Sequence, residues 1–367
     1  MDSHPLRRVA LAVLTAAALA AGTGLSAASA DTAAPAAKKK GFKVVAPKLN
    51  NPRGLAVGPD GAVYVAEAGI AGPTCIEPEA CLGYSSSITR IKNGKAKWIA
   101  KGLPSVGGQD GTFTTGVDGV SVDPRGNVFA VTTGVGPEAL PSLPDEAKAL
   151  LGKLLKIKGG KASVVADIEA LEYPENPDGT DLNSNPYGVL ALKGAQYVVD
   201  AGANTLIRVR NGKAKVAAII PLNGTAQPVP TSVAKGPDGA LYVGEFGGEG
   251  ESGPPPGGQR VFRIAKGKVK VFARGFSTIT GVAFGPDGSL YVSEFNTNPD
   301  TGAGDVVRVK PNGKRSRLGK GKLFFTGGVA VDDDGHVYAS NWSNLPGSGG
   351  PEGSPFAGKS GQVVRLK

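Results

Sequence analysis

Alternating hydrophobic and polar residues recur along this chain in short runs, and most runs end at a glycine-rich turn. The clearest copy reads Gly-x-Ala-x-Gly-Pro-Asp-Gly-x-x-Tyr-Val-x-Glu. Six copies of differing fidelity cover residues 54–67, 119–132, 188–200, 232–245, 281–294 and 328–341. The aromatic position of the last four copies is spaced by 45, 49 and 47 residues. Such periods are typical of repeat folds whose units bury their apolar faces against one another.

Each repeat predicts two β-hairpins. The first turn reads Gly-Pro-Asp-Gly at 58–61, where proline presets φ and the last glycine takes the left-handed position. The second turn is Asn-Gly, as at 93–94, which is a strong signal for a two-residue hairpin. A third strand lies between the turns, with the pattern Val-Val-Arg-Val at 306–309. Four antiparallel strands that are apolar on both faces are typical of a propeller blade.

The two ends of the chain predict how the ring of blades closes. The last repeat stops after its third strand, and residues 42–46 match the fourth strand seen at 269–273. An N-terminal strand in that position would leave no open edge between the first and last blades. The sequence therefore predicts an all-β protein, a six-bladed β-propeller of four-stranded antiparallel blades over residues 41–367. Its last blade is closed by the N-terminal strand.

The first forty residues predict an export signal and a linker. A basic pair at 7–8 precedes an apolar run over 9–21, and Ala-Ser-Ala at 28–30 fits a cleavage site. The apolar run is too short to favour a membrane span. We therefore predict a signal peptide over 1–30, a linker over 31–40 and a secreted, extracellular monomer with no membrane span.

The composition of the chain predicts a disulfide bond and an anionic partner. Cys75 and Cys81 are the only cysteines, and in an exported chain two cysteines within one loop predict a local disulfide. The formal net charge of +10 favours an anionic cell-surface polymer as an extracellular ligand. Nucleic acid is not predicted as a partner. Six of the basic residues stand at the same position of the repeat, one in each blade, and a feature shared by every blade is typical of an architectural role. They are Arg90, Lys156, Arg208, Arg263, Arg308 and Arg365.

Polar residues gather where the first strand of each blade starts and the second ends, on one face beside the central channel. Long loops open on the same face, and such loops usually carry function. The candidate ligand-binding residues are Arg53, Glu67, Asp118, Tyr187, Asp200, Asn204, Glu245, Glu294 and Asn341. His336 is the only histidine after residue 30, so a histidine base or a Ser-His-Asp triad is not predicted, and no catalytic residue is assigned.

Two interpretations of the acidic residues on this face stay open. Facing carboxylates repel one another and need protons, cations or a metal ion, and oxygen ligands without histidine or cysteine favour calcium. The candidate metal ligands are Asp118, Asn185, Asp200 and Glu294. Alternatively, the acids cap strand ends by bonding to backbone amides or to Arg53, and no cofactor is then required.

Segments 176–179, 181–188 and 200–206 resemble the ScyD/ScyE family, and the run Ser-Asn-Pro-Tyr-Gly at 184–188 is the most specific part. The resemblance implies an exported protein with NHL-like propeller repeats and implies little about activity. The predicted function is a binding or scaffold protein that presents its loop-rich face around the channel.

A broader similarity, to gluconolactonase-like and paraoxonase-like six-bladed hydrolases, implies a central divalent ion. Asp118 resembles the metal-ligand aspartate of the gluconolactonase pattern. Arg53 stands where that pattern has glutamate, and Tyr187, with Asn185 offset, stands where it has asparagine. The alternative function is therefore a calcium-dependent hydrolase or lactonase.

Overall fold

The computed structural model describes residues 41–77, 80–248 and 257–366. The predicted signal peptide and linker lie outside the described residues. The chain starts with β1 (Lys43–Leu49), which belongs to the last blade. Blade 1 contains β2 (Pro52–Val57), β3 (Val63–Glu67), β4 (Thr74–Glu77), β5 (Ala80–Lys92) and β6 (Lys95–Gly107). Blade 2 contains β7 (Val117–Val122), β8 (Val128–Thr132), β9 (Lys153–Lys158) and β10 (Lys161–Asp167).

The remaining blades are built in the same way. Blade 3 contains β11 (Pro186–Leu192), β12 (Ala195–Asp200), β13 (Thr205–Arg210) and β14 (Lys213–Ile219). Blade 4 contains β15 (Pro230–Lys235), β16 (Leu241–Glu245), β17 (Gln259–Ala265) and β18 (Lys268–Phe276). Blade 5 contains β19 (Ile279–Phe284), β20 (Leu290–Asn298), β21 (Ala303–Val309) and β22 (Arg315–Phe324). Blade 6 contains β23 (Val329–Val331), β24 (Val337–Asn341), β25 (Gly361–Arg365) and β1.

The predicted six-bladed propeller and its closure are confirmed. β1 pairs antiparallel with β25, and Lys43 lies opposite Arg365 in the register. Each blade has four antiparallel strands, and blade 1 has β4 as a fifth, paired with β5. Because β1 comes from the opposite end of the chain, pairing it with β25 joins the ends and leaves no open edge between the first and last blades.

The hydrophobic core lies between neighbouring blades rather than within one. Tyr64 and Ala66 of blade 1, for example, pack against Val128 and Leu155 of blade 2, and all four are buried. Blades 4 and 5 share an equivalent cluster that includes Tyr242. Each blade therefore depends on its neighbours for burial, as expected of a repeat fold.

Glycines on the innermost strands allow the blades to approach the axis closely. A Cβ on Gly119 would lie 2.6 Å from the carbonyl oxygen of Tyr187 in the next blade. A Cβ on Gly188 would lie 2.5 Å from the carbonyl oxygen of Thr231. Real Cβ atoms do not approach that closely, so the inner strands meet backbone to backbone and the channel between them is narrow.

Helices are short and lie in the insertions. They are α1 (Gly136–Ala139), α2 (Asp145–Lys148) and α3 (Glu172–Glu175), with 3₁₀ turns at Leu140–Ser142 and Glu169–Leu171. Ala147 of α2 is buried against blade 1 together with Leu151, so this segment serves as a packing element. Within the described part of the chain, no helix has the length and apolar character that a membrane crossing needs.

The predicted disulfide is confirmed. Cys75 and Cys81 are bonded to each other and lie opposite one another in the β4–β5 pair. The bond is compatible with a secreted protein, since disulfides persist in oxidising compartments.

Candidate functional site

The central channel is a small cavity of about 50 Å³, enclosed by the innermost strands of the blades. Asp118, Tyr187, Thr231 and Thr280 face it between the glycines described above. The hydroxyls of Thr231 and Thr280 both donate hydrogen bonds to backbone carbonyls of the following blade. A cavity of this size holds a few water molecules and no sugar-sized ligand.

Three predicted residues, Arg53, Asp118 and Tyr187, lie together at this channel and form what we call the channel cluster. Arg53 Nη2 donates to the carbonyl of Thr114 at 2.8 Å, and its Nε lies 3.8 Å from Asp118 Oδ1. The hydroxyl of Thr115 donates to Asp118 Oδ2 at 2.7 Å. Asp118 Oδ1 has no hydrogen-bond partner. Asp118 is therefore held by the Thr115 hydroxyl, the Gly116 amide and one nearby cation.

Burial dominates the electrostatics of the channel cluster. Asp118 is 1 % exposed, and burial raises its pKa to about 6 although the charge of Arg53 opposes the rise. Burial also raises the pKa of Tyr187, and Arg53 again opposes the rise. A divalent cation does not fit beside Asp118, because the Arg53 guanidinium already lies there and would repel it. We therefore derive no metal-dependent step at the channel.

Three predicted acids on the second strands tie each strand to the start of the inner strand of the same blade. Glu67 and Asp200 end their strands as predicted, whereas Glu294 lies within β20, which continues to Asn298. Each carboxylate accepts a hydrogen bond from a backbone amide one or two residues before that inner strand begins. The bonds run from Asn50 N to Glu67 Oε2 at 2.9 Å, from Asn185 N to Asp200 Oδ1 at 2.7 Å, and from Ser277 N to Glu294 Oε1 at 2.7 Å.

The acids of blades 4 and 5 also bind arginines of their own blades. Arg260 holds both oxygens of Glu245, with Nε and Nη2 at 2.7 and 2.8 Å. Arg317 bridges Glu294 and Asp305, with Nη1 at 2.6 Å from each carboxylate. Burial, reinforced by the neighbouring Asp305, raises the pKa of Glu294. Through these contacts, each acid connects strands of its own blade.

The predicted amide residues also have partners. Asn204 Nδ2 donates to Asp178 Oδ2 at 2.7 Å, and Asn204 Oδ1 accepts the Val229 amide at 3.1 Å. Asn341 Oδ1 accepts the amide of Phe324 at 2.8 Å. Asn185 Oδ1 accepts the hydroxyl of Thr133 at 3.0 Å. These side chains link segments at the channel face.

The candidate metal ligands lie in three different blades. Asp118 is in blade 2, Asn185 and Asp200 are at blade 3, and Glu294 is in blade 5. In the described residues, the one group of three His, Cys, Asp or Glu ligand atoms within 4.8 Å of each other is Asp332, Asp334 and His336, in a turn on the opposite face. The metal site proposed from the sequence stays a prediction.

Aromatic side chains pack over the channel mouth on the side of blades 4 to 6. Phe246, Phe295, Phe325 and Trp342, which we call the aromatic cover, are all less than 10 % exposed. The ring centroids of Phe295 and Phe325 are 5.3 Å apart. Phe325 has a φ of 43°, a region that bulky residues rarely adopt, so the surrounding packing holds it there.

The segment 108–116 extends the cover from blade 1 towards blade 6. The Phe113 amide donates to the Asn344 carbonyl at 3.0 Å, and Asn51 Nδ2 donates to the Gly111 carbonyl at 2.8 Å. These bonds shield the channel cluster, in which Arg53 is 6 % exposed. Arg53 is therefore covered by segments from blades 1 and 6.

A larger concavity lies between blades 3 and 4, on the outer side and near the face opposite the cover. Its volume is about 640 Å³. Its apolar surface comes from residues such as Tyr197, Leu241 and Ile264. Its charged residues are Arg208, Lys215, Arg263, Lys266 and Asp238. We call this concavity the basic groove.

Arg208 in the basic groove lacks the ion pair that three of its equivalents in other blades make, and in the described part of the chain Lys156 and Arg365 form no such pair either. Arg90 pairs with Asp60 and Arg308 pairs with Asp287, in each case with the aspartate of the first hairpin turn. Arg263 pairs in the same way with Asp238, at 2.6 Å. These arginines have an architectural role, since each one binds the first hairpin turn of its own blade.

The first turn of blade 3 contains no aspartate. It reads Leu-Lys-Gly-Ala over 192–195, so Arg208 has no carboxylate partner among the described residues and is exposed. Tyr197 lies opposite Arg208 in the strand pair. The unpaired state of Arg208 was not predicted from the sequence, and the missing Pro-Asp-Gly in the third repeat is the signal that could have revealed it.

Comparison with known proteins supports the fold. No family model matches this chain, and no curated protein does. A protein described as an oxidoreductase (glucose dehydrogenase), from Thermus thermophilus, matches 89 % of this chain and 99 % of its own, at 18 % identity and a TM-score of 0.55. A protein of unknown function from Bacteroides thetaiotaomicron matches 89 % of this chain and 75 % of its own, at 10 % identity and a TM-score of 0.55.

A gluconolactonase from Xanthomonas campestris matches 83 % of each chain at 13 % identity, with a TM-score of 0.44. The two matches with a TM-score of 0.55 indicate a shared fold, and identities this low do not transfer an activity. Membership of the ScyD/ScyE family stays a prediction.

Proposed function

We propose that this protein is a secreted, ScyD/ScyE-type binding propeller whose basic groove holds an anionic extracellular polymer. The observation that carries the proposal is the unpaired, exposed Arg208 in a concavity of about 640 Å³. The sequence analysis favoured the loop-rich face as the binding surface. That face has a channel of only about 50 Å³ under the aromatic cover, so we place the polymer in the groove.

The charges of the basic groove suit a polyanion. Asp238 is already neutralised by Arg263. Lys215 and Lys266 are exposed, and neither has an ion pair in the described part of the chain. Together with Arg208 they leave three positive charges for a ligand, and a guanidinium can hold a carboxylate or a phosphate through two parallel hydrogen bonds.

The apolar wall of the groove supports contact with a polymer backbone. Tyr197 and Leu241 are partly exposed there, beside the charged rim. An aromatic face next to cations suits a charged saccharide or a similar chain, because the apolar face of the polymer packs against the aromatic ring while its charged group pairs with a cation. The net charge of +10 would add attraction at long range, and this attraction would weaken with salt.

The experiment compares two substitutions with equal charge change. Labelled polygalacturonate and labelled polyglycerol phosphate are titrated with the mature parent, Arg208→Gln and Arg90→Gln, and binding is followed by fluorescence anisotropy. Arg208→Gln should weaken binding about tenfold, the effect of losing one charge-assisted contact. Arg90→Gln should leave affinity near that of the parent, because Arg90 pairs with Asp60 outside the groove. Equal losses in both variants would show that binding follows net charge and not the groove.

A second candidate function is the divalent-metal-dependent lactonase, and it requires a metal ion that displaces the Arg53 guanidinium from Asp118. Asp118 Oδ1, which is buried at the channel without a hydrogen-bond partner, would then be a ligand of the ion. Metal-dependent lactone hydrolysis that disappears in Asp118→Asn would support this candidate. Absence of hydrolysis with every divalent metal tried would remove it and leave the binding proposal alone.

A further inference from the structure

Buried oxygen atoms without partners concentrate in one short segment beside blade 3. Among the described residues, fourteen buried side-chain nitrogen and oxygen atoms have no hydrogen-bond partner, and five of them lie between residues 169 and 176. They are Glu169 Oε2, Glu172 Oε1 and Oε2, Tyr173 Oη and Asn176 Oδ1. We call these four residues the oxygen cluster.

The local fold brings the oxygen cluster into a short stretch of chain. The 3₁₀ turn Glu169–Leu171 continues directly into α3, and Asn176 is the left-handed cap of α3 with a φ of 38°. Glu169 and Glu172 are three residues apart in this stretch, a spacing that brings side chains near one another, and Asn176 closes it. Four carboxylate and amide oxygens without partners therefore lie within eight consecutive residues.

Glu172 is the central member of the oxygen cluster. It is 1 % exposed, no side chain of the described residues donates a hydrogen bond to its carboxylate, and the Asn183 amide is the one hydrogen-bonding group that favours its charged form. A buried carboxylate with so few partners is costly unless it gains a proton or a cation. Such a side chain at the centre of an oxygen cluster is itself an indication of a missing ligand.

The surroundings of Glu172 are strongly negative. Burial and the charges of Asp178, Asp200 and Asp181 raise its pKa to about 7, although the Asn183 amide opposes the rise. Lys153 binds Glu169 Oε1 at 3.2 Å and Asp167 at 2.8 Å, and no cation of the described residues forms an ion pair with Glu172. The segment thus has more negative charge than its own cation neutralises.

We infer that the oxygen cluster is a calcium site in which Glu172 and Asn176 are direct ligands. Carboxylate and amide oxygens are hard ligands, and the cluster contains no sulfur or imidazole, which excludes a zinc-type set. The following irregular segment, 177–185, can supply carbonyl oxygens, and such mixed ligand sets suit calcium better than the strict octahedron of magnesium. The site is separate from the channel and from the basic groove, and it does not depend on the proposed polymer.

The test is a titration of the chelator-treated mature protein with calcium by calorimetry and with terbium by luminescence. The parent should bind one calcium ion and should melt at a higher temperature with calcium. Bound terbium should emit when tyrosine is excited, since Tyr173 belongs to the cluster. Glu172→Gln, which removes one ligand charge, should lower calcium affinity by about tenfold or more. Glu175→Gln is the matched control, because Glu175 is an exposed residue of the same helix.

A second variant keeps the inference falsifiable if Glu172→Gln folds poorly. Asn176→Asp retains the ligand oxygen and adds a charge, so it should tighten calcium binding and lower the melting temperature only without calcium. If no ion binds there, Asn176→Asp should lower the melting temperature equally with and without calcium, through repulsion from Glu172. Three results would overturn the inference. They are an equal drop in the melting temperature of Asn176→Asp with and without calcium, equal calcium affinity in Glu172→Gln and Glu175→Gln, and a parent that binds no calcium.

Discussion

Replacing Asp118 by Asn should stabilise the protein at high pH and have little pH-dependent effect at low pH. The pKa of Asp118 rises from its ordinary 3.8 to about 6 in the folded protein, because burial outweighs the charge of Arg53. Between these two values the folded protein holds a proton that the unfolded chain has released. Stability contributed by this group is therefore present at low pH and is lost as pH rises towards 6.

The size of the effect follows from the pKa difference. Each pH unit corresponds to about 1.4 kcal/mol, so the buried charge of Asp118 costs about 3 kcal/mol of unfolding free energy at about pH 8. Asparagine resembles the protonated acid and cannot ionise, so the variant avoids this cost. The attraction of Arg53 acts on the ionised acid and is already included in the pKa of about 6, so it reduces the pH-dependent part without cancelling it.

The assay is urea unfolding of the parent and of Asp118→Asn at several values between about pH 4 and about pH 8. The stability of the variant relative to the parent should increase by about 3 kcal/mol across this range. Because other titrating groups are shared, they cancel in the comparison. A difference that does not change with pH, or a parent that gains on the variant as pH rises, would show that the Arg53 ion pair outweighs burial.

Two further predictions concern packing and the disulfide. Gly119→Ala should lower unfolding free energy by about 1–3 kcal/mol, because the new methyl group would lie 2.6 Å from the carbonyl oxygen of Tyr187. An unchanged melting temperature would contradict backbone-to-backbone contact between the inner strands. Reducing the Cys75–Cys81 bond should cost about 2 kcal/mol, since the cysteines are only six residues apart in sequence and the closed loop is small. Mass spectrometry of the native protein checks the bond, and two alkylatable thiols would disprove it.

The sequence predicted the architecture because the repeat has a strong local signal. Turn residues such as Pro59 and Gly61 specify a hairpin through their own backbone preferences, so each turn can be recognised from a few consecutive residues. The closure of blade 6 was also predictable, since its third strand near Val363 lacked a fourth strand downstream and residues 42–46 matched one. The added strand β4 was not predicted, because it forms inside an irregular insertion of blade 1.

The candidate site was less predictable, because its chemistry depends on partners from distant parts of the chain. Glu294 was predicted to end its strand, but β20 continues to Asn298, and the bond of Glu294 to Arg317 depends on the register of the outer strand. The cover over Arg53 arises from bonds between residues 111–113 and residues of both chain ends. No local pattern encodes such contacts.

The basic groove could have been found by comparing repeats. The third repeat lacks the turn aspartate, so its arginine, Arg208, had to differ from Arg90 and Arg308. The oxygen cluster around Glu172 was beyond sequence reasoning, since only the fold shows that its carboxylate is buried without a hydrogen bond from any described side chain.

The most direct test of the central claim is a map of amide hydrogen exchange with and without polygalacturonate or polyglycerol phosphate at low salt. If the polymer binds the basic groove, protection should increase in β14 (Lys213–Ile219) and in the hairpin at 265–268, which border it. Residues 108–116 and 342–346 at the channel mouth should exchange at unchanged rates. Protection of the channel-mouth segments without any change in β14 would contradict the account and return the binding site to the loop-rich face.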